Sequence, residues 1–157
     1  MAEPGVAPLV LGWREWLELP ELGLPRIKAK VDTGARTSAL HAFEVASFTR
    51  DDAQWVRFKI HPLQYGRDVE ATCEARVKDR RAVTDSGGHE EMRYVIETLM
   101  RVAGHEWPIE ITLADRDDMR FRMLLGRSAL RGRAIVDPSR SYLTRKRARR
   151  SSARSGP

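Results

Sequence analysis

The sequence predicts a mainly β, single-domain protein, and three observations carry the prediction. Short stretches alternate apolar and polar residues with a period of two, β-branched and aromatic residues gather in them, and Pro, Gly and Asp punctuate the chain between them. The length of 157 residues, with 41% apolar and 32% charged residues, is that of one ordinary globular domain, so a two-lobed enzyme is not expected.

Taken in order, the expected strands are Val10 to Leu19, Arg26 to Val31, Gln54 to His61, Val69 to Val77, Met92 to Val102, Trp107 to Leu113, Met119 to Leu125, Ala134 to Asp137 and Ser141 to Leu143. Turn chemistry separates them at Pro20 to Pro25, at Tyr65-Gly66-Arg67-Asp68, at Asp85-Ser86-Gly87-Gly88, at Gly104 and at Asp115-Arg116-Asp117-Asp118. One short helix is predicted at Ser128 to Arg131, entered directly from Leu124-Leu125-Gly126. The expected organisation is a flexible N-terminus over residues 1–9, one domain over residues 10–144 and a disordered basic tail over residues 145–157, with no internal repeat.

The net charge of +6 belongs to that tail. Arg145, Lys146, Arg147, Arg149, Arg150 and Arg154 have no acidic neighbour, and the remaining residues balance 22 bases against 22 acids. A Ser/Arg/Gly/Pro segment of this kind buries too little apolar surface to fold, and it can attract RNA, an anionic surface or an acidic partner without reading sequence. A plainly solvated end is the competing reading. No apolar run approaches the ~20 residues that cross a bilayer, and the Met1-Ala-Glu-Pro-Gly start lacks a secretory pattern, so a cytoplasmic location is expected. Cys73 is the single cysteine, which excludes an internal disulfide.

The chemistry concentrates in Ile27-Lys28-Ala29-Lys30-Val31-Asp32-Thr33-Gly34-Ala35. Ile27, Ala29 and Val31 share one face and Lys28 and Lys30 the other, so a half-buried strand delivers Asp32 at its end. A carboxylate there is costly to desolvate unless it is hydrogen-bonded or shares its site with a group that adjusts its pKa. Thr33 offers a hydroxyl that can lock nearby backbone, and Gly34 permits a tight turn and close approach of a substrate.

Asp32-Thr33-Gly34-Ala35 resembles the active-site loop of aspartic proteases, and Leu124-Leu125-Gly126-Arg127 followed by Ser128 to Arg131 resembles the apolar-apolar-Gly strand and short helix that pack beneath it in retropepsins. The longer string from Lys30 to Ala42, with Val136-Asp137-Pro138-Ser139-Arg140, is similar to a bacterial family whose members are often labelled ATP-dependent zinc proteases but have a retropepsin-like fold. The resemblance covers residues 11 to 143. It implies a closed β-barrel with one short C-terminal helix, and an aspartic peptidase that hydrolyses peptide bonds. Asp32, Thr33 and Gly34 would form the catalytic loop, and Leu125, Gly126 and Arg127 would support it.

Two carboxylates about 3 Å apart share one proton, the ionised member activating water and the protonated one stabilising the oxyanion. A chain one lobe long would take its second carboxylate from Asp32 of another copy, in an isologous homodimer. Asp85-Ser86-Gly87 spells a similar motif, but it lies only 53 residues after Asp32 and has no apolar-apolar-Gly strand of its own. Asp85, Ser86, Gly87 and Gly88 are therefore expected to form a hairpin flap or plain turn. With Ala35 and Arg36 they would contact the peptide substrate.

One departure stands out. Retropepsins usually carry Asp or Ser where this chain has Arg36, and in many of them the acid pairs with the Arg after the apolar-apolar-Gly strand. Arg36 and Arg127 cannot form that pair, so Asp137, Glu44 or the substrate is expected to balance one guanidinium, unless both are simply exposed. A cation near the dyad would favour acidic side chains in the substrate.

Zinc, which the family label suggests, is not favoured and no metal ligands are assigned. The sequence has no His-Glu-x-x-His, although His41, His61, His89, His105 and Cys73 could converge in space. No phosphate-binding Gly-rich loop is present either, and the family's link to ATP is better explained by associated ATP-grasp ligases. Trp13, Trp16, Trp55 and Trp107 are expected in the core or a dimer seam, ahead of a stacking platform. Cys73 reads as an ordinary strand residue. The rivals to an aspartic peptidase are a zinc-dependent peptidase and a non-catalytic peptide-binding partner of an ATP-grasp ligase.

Overall fold

A computed structural model describes residues 8–62, 69–84, 87–115 and 120–144. The described residues form eleven strands: β1 (Leu9–Leu11), β2 (Arg14–Leu19), β3 (Leu24–Asp32), β4 (Ser38–His41), β5 (Phe43–Arg50), β6 (Ala53–Ile60), β7 (Ala71–Thr84), β8 (Glu90–Val102), β9 (His105–Ala114), β10 (Met123–Gly126) and β11 (Ala134–Val136). A 3-10 turn (Pro20–Leu22) joins β2 to β3, and one four-residue helix, α1 (Arg127–Leu130), follows β10. The mainly β expectation with one short helix is met.

Six strands run in a ring in the order β2-β3-β10-β4-β9-β8, and a β2–β8 pairing closes it through Glu18 opposite Arg101. That junction is reinforced by an Arg101–Glu18 ion pair of 2.9 Å. Closure of the ring rests on this one residue pair. β7 leaves the ring: its first half, Ala71 to Arg76, pairs with β6, and its second half, Val77 to Thr84, pairs with β8. β5 completes this side by pairing with β6.

The ring closes over Leu17, Ile27, Ala29, Leu40, Ile96, Met100, Ile111, Met123 and Leu125, all buried. Each large side chain among them contributes about 1.5–3 kcal/mol on leaving water. In β3 the burial alternates as the sequence predicts, with Ile27, Ala29 and Val31 inward. β4 does not alternate: Ser38, Ala39, Leu40 and His41 are all buried because the strand lies between β10 and β9. Its missing alternation is why β4 does not stand out in the sequence.

Two further expectations are corrected. The predicted Val10–Leu19 strand breaks at Gly12 and Trp13, because the C-terminal segment crosses there. A Cβ on Gly12 would lie 2.6 Å from Ser141 Cα, and Trp13 N–H donates to the Arg140 carbonyl at 2.8 Å. Nor is Ser141 to Leu143 a strand; it is held by a buried carboxylate. Glu15, 0% exposed, accepts from Gly12 N–H at 2.6 Å, Leu143 N–H at 3.0 Å, Thr144 N–H at 3.1 Å and the Thr144 hydroxyl at 2.8 Å. Of the tryptophans, only Trp107 is a core residue, its indole N–H donating to the Ala129 carbonyl at 2.8 Å. Trp13, Trp16 and Trp55 are half-buried beneath cationic side chains.

Cys73 lies buried in β7, where burial pushes its thiol pKa up to about 11. No helix among the described residues is long and apolar enough to cross a membrane. The expected turn at Tyr65 to Asp68, the start of the predicted Met119 strand and the basic tail from Arg145 lie outside the described residues.

Candidate active site

Asp32 ends β3 beside Gly126, the last residue of β10, because the two strands pair in parallel with Leu125 opposite Val31. At this point the chain turns. Gly34 N–H donates to Asp32 Oδ1 at 3.0 Å and Ala35 N–H to the Asp32 carbonyl at 3.1 Å, so the carboxylate is fixed by the loop that follows it. Oδ2 makes no protein hydrogen bond among the described residues. Asp32 is half-buried, while Thr33, Gly34 and Arg36 are exposed, so the carboxyl has apolar strand behind it and an open side ahead.

The β10–α1 junction holds that loop from below. Arg127 N–H donates to the Ala35 carbonyl at 2.9 Å and Ser128 N–H to the Arg36 carbonyl at 3.0 Å, which satisfies two orphan donors of the short helix. The Arg127 guanidinium reaches over the turn and donates through Nη1 to the carbonyls of Gly34 at 3.1 Å and Thr33 at 3.4 Å. Gly126 admits this close approach: a Cβ there would lie 2.6 Å from the Thr37 carbonyl carbon. Its N–H donates to Ser38 Oγ at 3.0 Å, and the Ser38 carbonyl accepts from Thr112 Oγ1 at 3.2 Å.

The structure thus brings together Asp32, Thr33, Gly34, Ala35, Arg36, Leu125, Gly126 and Arg127. Buried Ser38 adds a hydroxyl that accepts from Gly126 N–H beneath the loop, and exposed Thr33 offers its carbonyl to Arg127. Glu44 and Asp137 do not balance an arginine of the site. Glu44 pairs with Lys59 at 2.8 Å, and Asp137 accepts from the hydroxyl and N–H of Ser139, which hold its carboxyl below the usual range. Arg127 is satisfied by main-chain carbonyls instead. Ser38 and Glu15 escaped the sequence reading, because a buried hydroxyl in an unpatterned strand and a lone acid among polar neighbours carry no local signal.

β7 and β8 run on to the expected flap. Gly87 and Gly88 lie in the connecting turn, Gly88 with φ +82°, whereas Asp85 and Ser86 lie outside the described residues. Among the described residues no group of three or more His, Cys, Asp or Glu side chains is placed to hold a metal ion. His41 and His61 instead flank Phe43, with ring centroids 6.4 Å and 4.6 Å from it.

Comparison with known proteins gives this geometry a setting. The family model described as "RimB-like: Retropepsin-like aspartic endopeptidase RimB" matches residues 10–147. The chain is 47% identical over 133 residues to a protein of Shewanella halifaxensis named "Probable alpha-L-glutamate ligase", and 49% identical over 134 residues to one of the same name from Parasynechococcus marenigrum. Each match covers 85% of this chain but 29% of the relative, so the chain spans under a third of the curated relatives' length. A crystal structure of a protein of unknown function from Legionella pneumophila superposes with a TM-score of 0.75 at 21% identity, covering 88% of this chain and 99% of that one. That likeness shows the fold.

Proposed function

From the premise that the chain belongs to the RimB-like family of retropepsin-like aspartic endopeptidases, we propose that it hydrolyses peptide bonds with water activated between the Asp32 carboxylates of two copies. The observation that carries this reading is the state of Asp32. One oxygen is pinned by Gly34 N–H, the loop is clamped through Arg127 and Gly126, and the carboxyl faces an open side. Such a carboxylate has fixed geometry and a free oxygen with which to meet a symmetry-related partner.

In the assembled pair the two carboxyls share a proton. The ionised one takes a proton from water as the water oxygen bonds to the scissile carbonyl carbon, and the protonated one donates to the carbonyl oxygen. The resulting gem-diol collapses as the C–N bond breaks and the amine nitrogen takes up a proton. Neither zinc nor ATP is needed for these steps.

The substrate we propose is a glutamate-rich peptide. Arg36 stands exposed on the catalytic loop, without the acid that would neutralise it, and the relatives are named for joining α-L-glutamate. The test is digestion of an oligoglutamate peptide and of a neutral peptide, with sedimentation to establish the oligomer. The expected result is a dimer that cleaves the acidic peptide and loses turnover in Asp32→Asn. Full turnover by a monomer, or by Asp32→Asn, sinks the reading.

A second reading rests on the relatives' length. Because this segment is under a third of proteins named as ligases, the module would present acidic peptides to a ligase partner without cutting them. In that case Asp32→Asn preserves peptide affinity, and the wild type yields no fragments.

A further inference from the structure

The strand end that carries Asp32 is held from two sides, and the β10 clamp is one of them. On the other side the β2–β3 ladder runs to Arg14 opposite Lys30, and one step further Val31 N–H donates to the Trp13 carbonyl at 2.8 Å. A regular antiparallel pair would return a second bond, from Trp13 N–H to Val31. Here that N–H donates to the Arg140 carbonyl at 2.8 Å instead. The residue before Asp32 is thus tied, through Trp13, to the C-terminal segment.

That segment engages residues 11–15 one after another, as a strap. Asp137 N–H donates to the Leu11 carbonyl at 2.8 Å, the Arg140 carbonyl accepts from Trp13, and Tyr142 N–H donates to the Arg14 carbonyl at 2.9 Å. Gly12 lets the strap pass, because a Cβ there would run into the backbone of Arg140 and Ser141. Tyr142 holds φ +56°, a left-handed conformation that bulky residues avoid, so these contacts impose the strap's course. Glu15, 0% exposed, fastens it: Oε2 accepts from Gly12 N–H at 2.6 Å and Leu143 N–H at 3.0 Å, and Oε1 from Thr144 N–H at 3.1 Å and its hydroxyl at 2.8 Å. One buried carboxylate therefore couples the end of the strap to the turn that meets Val31.

We propose that Glu15 is a positioning residue for Asp32: it locks the strap across Gly12 and Trp13, and the strap sets the place of Val31 and of the carboxyl next to it. The inference rests on the peptidase reading for its catalytic consequence. Two carboxyls that meet across a two-fold axis tolerate little displacement, since an error of about 1 Å costs about 100-fold. β10 holds the end of β3 from one side, and Val31 N–H is committed to the other. Releasing the strap leaves Asp32 supported from the β10 side, free to shift with the loop it begins. A residue serving stability alone would weaken every strand alike, whereas this path of hydrogen bonds ends one residue from the carboxyl.

The test follows the Gly34 amide of the full chain by NMR through a pH titration, beside kcat and KM on the acidic peptide. Gly34 N–H donates to Asp32 Oδ1, so its resonance moves as that carboxyl ionises. Glu15→Gln and Gly12→Ala should each cut the amplitude of that movement about twofold or more and lower kcat about tenfold, with KM little changed. Thr144→Val removes one of the four donors to Glu15 and should give the same losses in smaller measure, about threefold in kcat, which keeps the proposal testable where the first two variants do not fold. Phe58→Leu thins the core in β6, outside the ring, and is the control for lost stability. It should lower Tm and leave the Gly34 titration and kcat within about twofold of wild type. An unchanged Gly34 titration in the strap variants, or an equal change in Phe58→Leu, overturns the proposal. A wild type that cuts no peptide sinks the peptidase reading instead, and the Gly34 titration still decides whether Glu15 sets Asp32.

Discussion

Gly126 lies beside Asp32 in the parallel pairing of β10 and β3, and a methyl group on Gly126 would fall 2.6 Å from the Thr37 carbonyl carbon. The obstacle is backbone, which cannot swing aside as a side chain can. Gly126→Ala therefore has to push the 32–37 loop away from β10, breaking the Ser38 Oγ contact and shifting the carboxylate. Overpacking of this kind costs about 1–3 kcal/mol, or a fall in Tm of roughly 2–12 °C for a domain of this size. Calorimetry checks the stability, and turnover should fall with it.

Arg127→Ala leaves the strands intact and removes the clamp on the Gly34 and Thr33 carbonyls. Because Arg127 is exposed, the expected stability change is small, about 0.5 kcal/mol. The loop that fixes Asp32 Oδ1 is loosened, and small misplacements of a catalytic group cost up to about 100-fold. Arg127 is a positioning residue, so kcat should drop about tenfold or more with KM little changed. Arg127→Lys should recover only part of the loss, since one ammonium cannot reproduce the reach of the planar fork. A loss in KM alone would contradict the positioning role.

What could be read from the sequence follows the range of the interactions involved. Ile27 to Asp32 and Leu124 to Gly126 were legible because alternation and the following glycine are local signals, and the helix after Gly126 was placed within one residue. β4 was not, since Ser38 to His41 is buried on both faces and carries no period. Gly12, Glu15 and Tyr142 depend on one another across more than 120 residues of chain, through hydrogen bonds such as Leu143 N–H to Glu15. No short window contains that relationship. The departure at Arg36 and Arg127 is legible in the sequence, but the satisfaction of Arg127 by backbone carbonyls and the exposure of Arg36 are three-dimensional facts.

Glu15→Gln tests the buried anchor of the C-terminal segment. The carboxylate accepts four hydrogen bonds at 2.6–3.1 Å, and the amide nitrogen of Gln would point donor at donor. The loss is expected to be about 1–3 kcal/mol, read from chemical denaturation. Leu143 and Thr144 should also lose amide-exchange protection before the strands do, because among the described residues it is Glu15 that accepts from both of their N–H groups.

On the acidic side, Glu110 is held below the usual carboxylate range chiefly by its hydrogen bond to Lys78, with Arg81 adding to the effect and burial opposing it. A depressed folded pKa contributes stability that is present above the unfolded value and lost as pH falls through the folded one. Glu110→Gln should therefore lower Tm near neutral pH, and the gap to wild type should close as pH falls through the unfolded carboxylate value of 4.5 and below it. A gap that persists at low pH would assign the effect to packing.

Cys73 sets the opposite limb. Burial raises its thiol from 9.0 to about 11, and its Sγ lies 3.5 Å from the Leu22 carbonyl, close enough for the protonated thiol to donate. The folded state keeps the proton when the unfolded chain has lost it. Its contribution is complete below the unfolded value and declines as pH rises from about 9 to 11. In that window the unfolding free energy should fall with a slope approaching one proton. Cys73→Ala removes this thiol's part of the slope at some cost in packing, so the wild-type and variant curves converge as pH rises. Parallel curves through the same window would mean that the thiol does not hold its proton on folding.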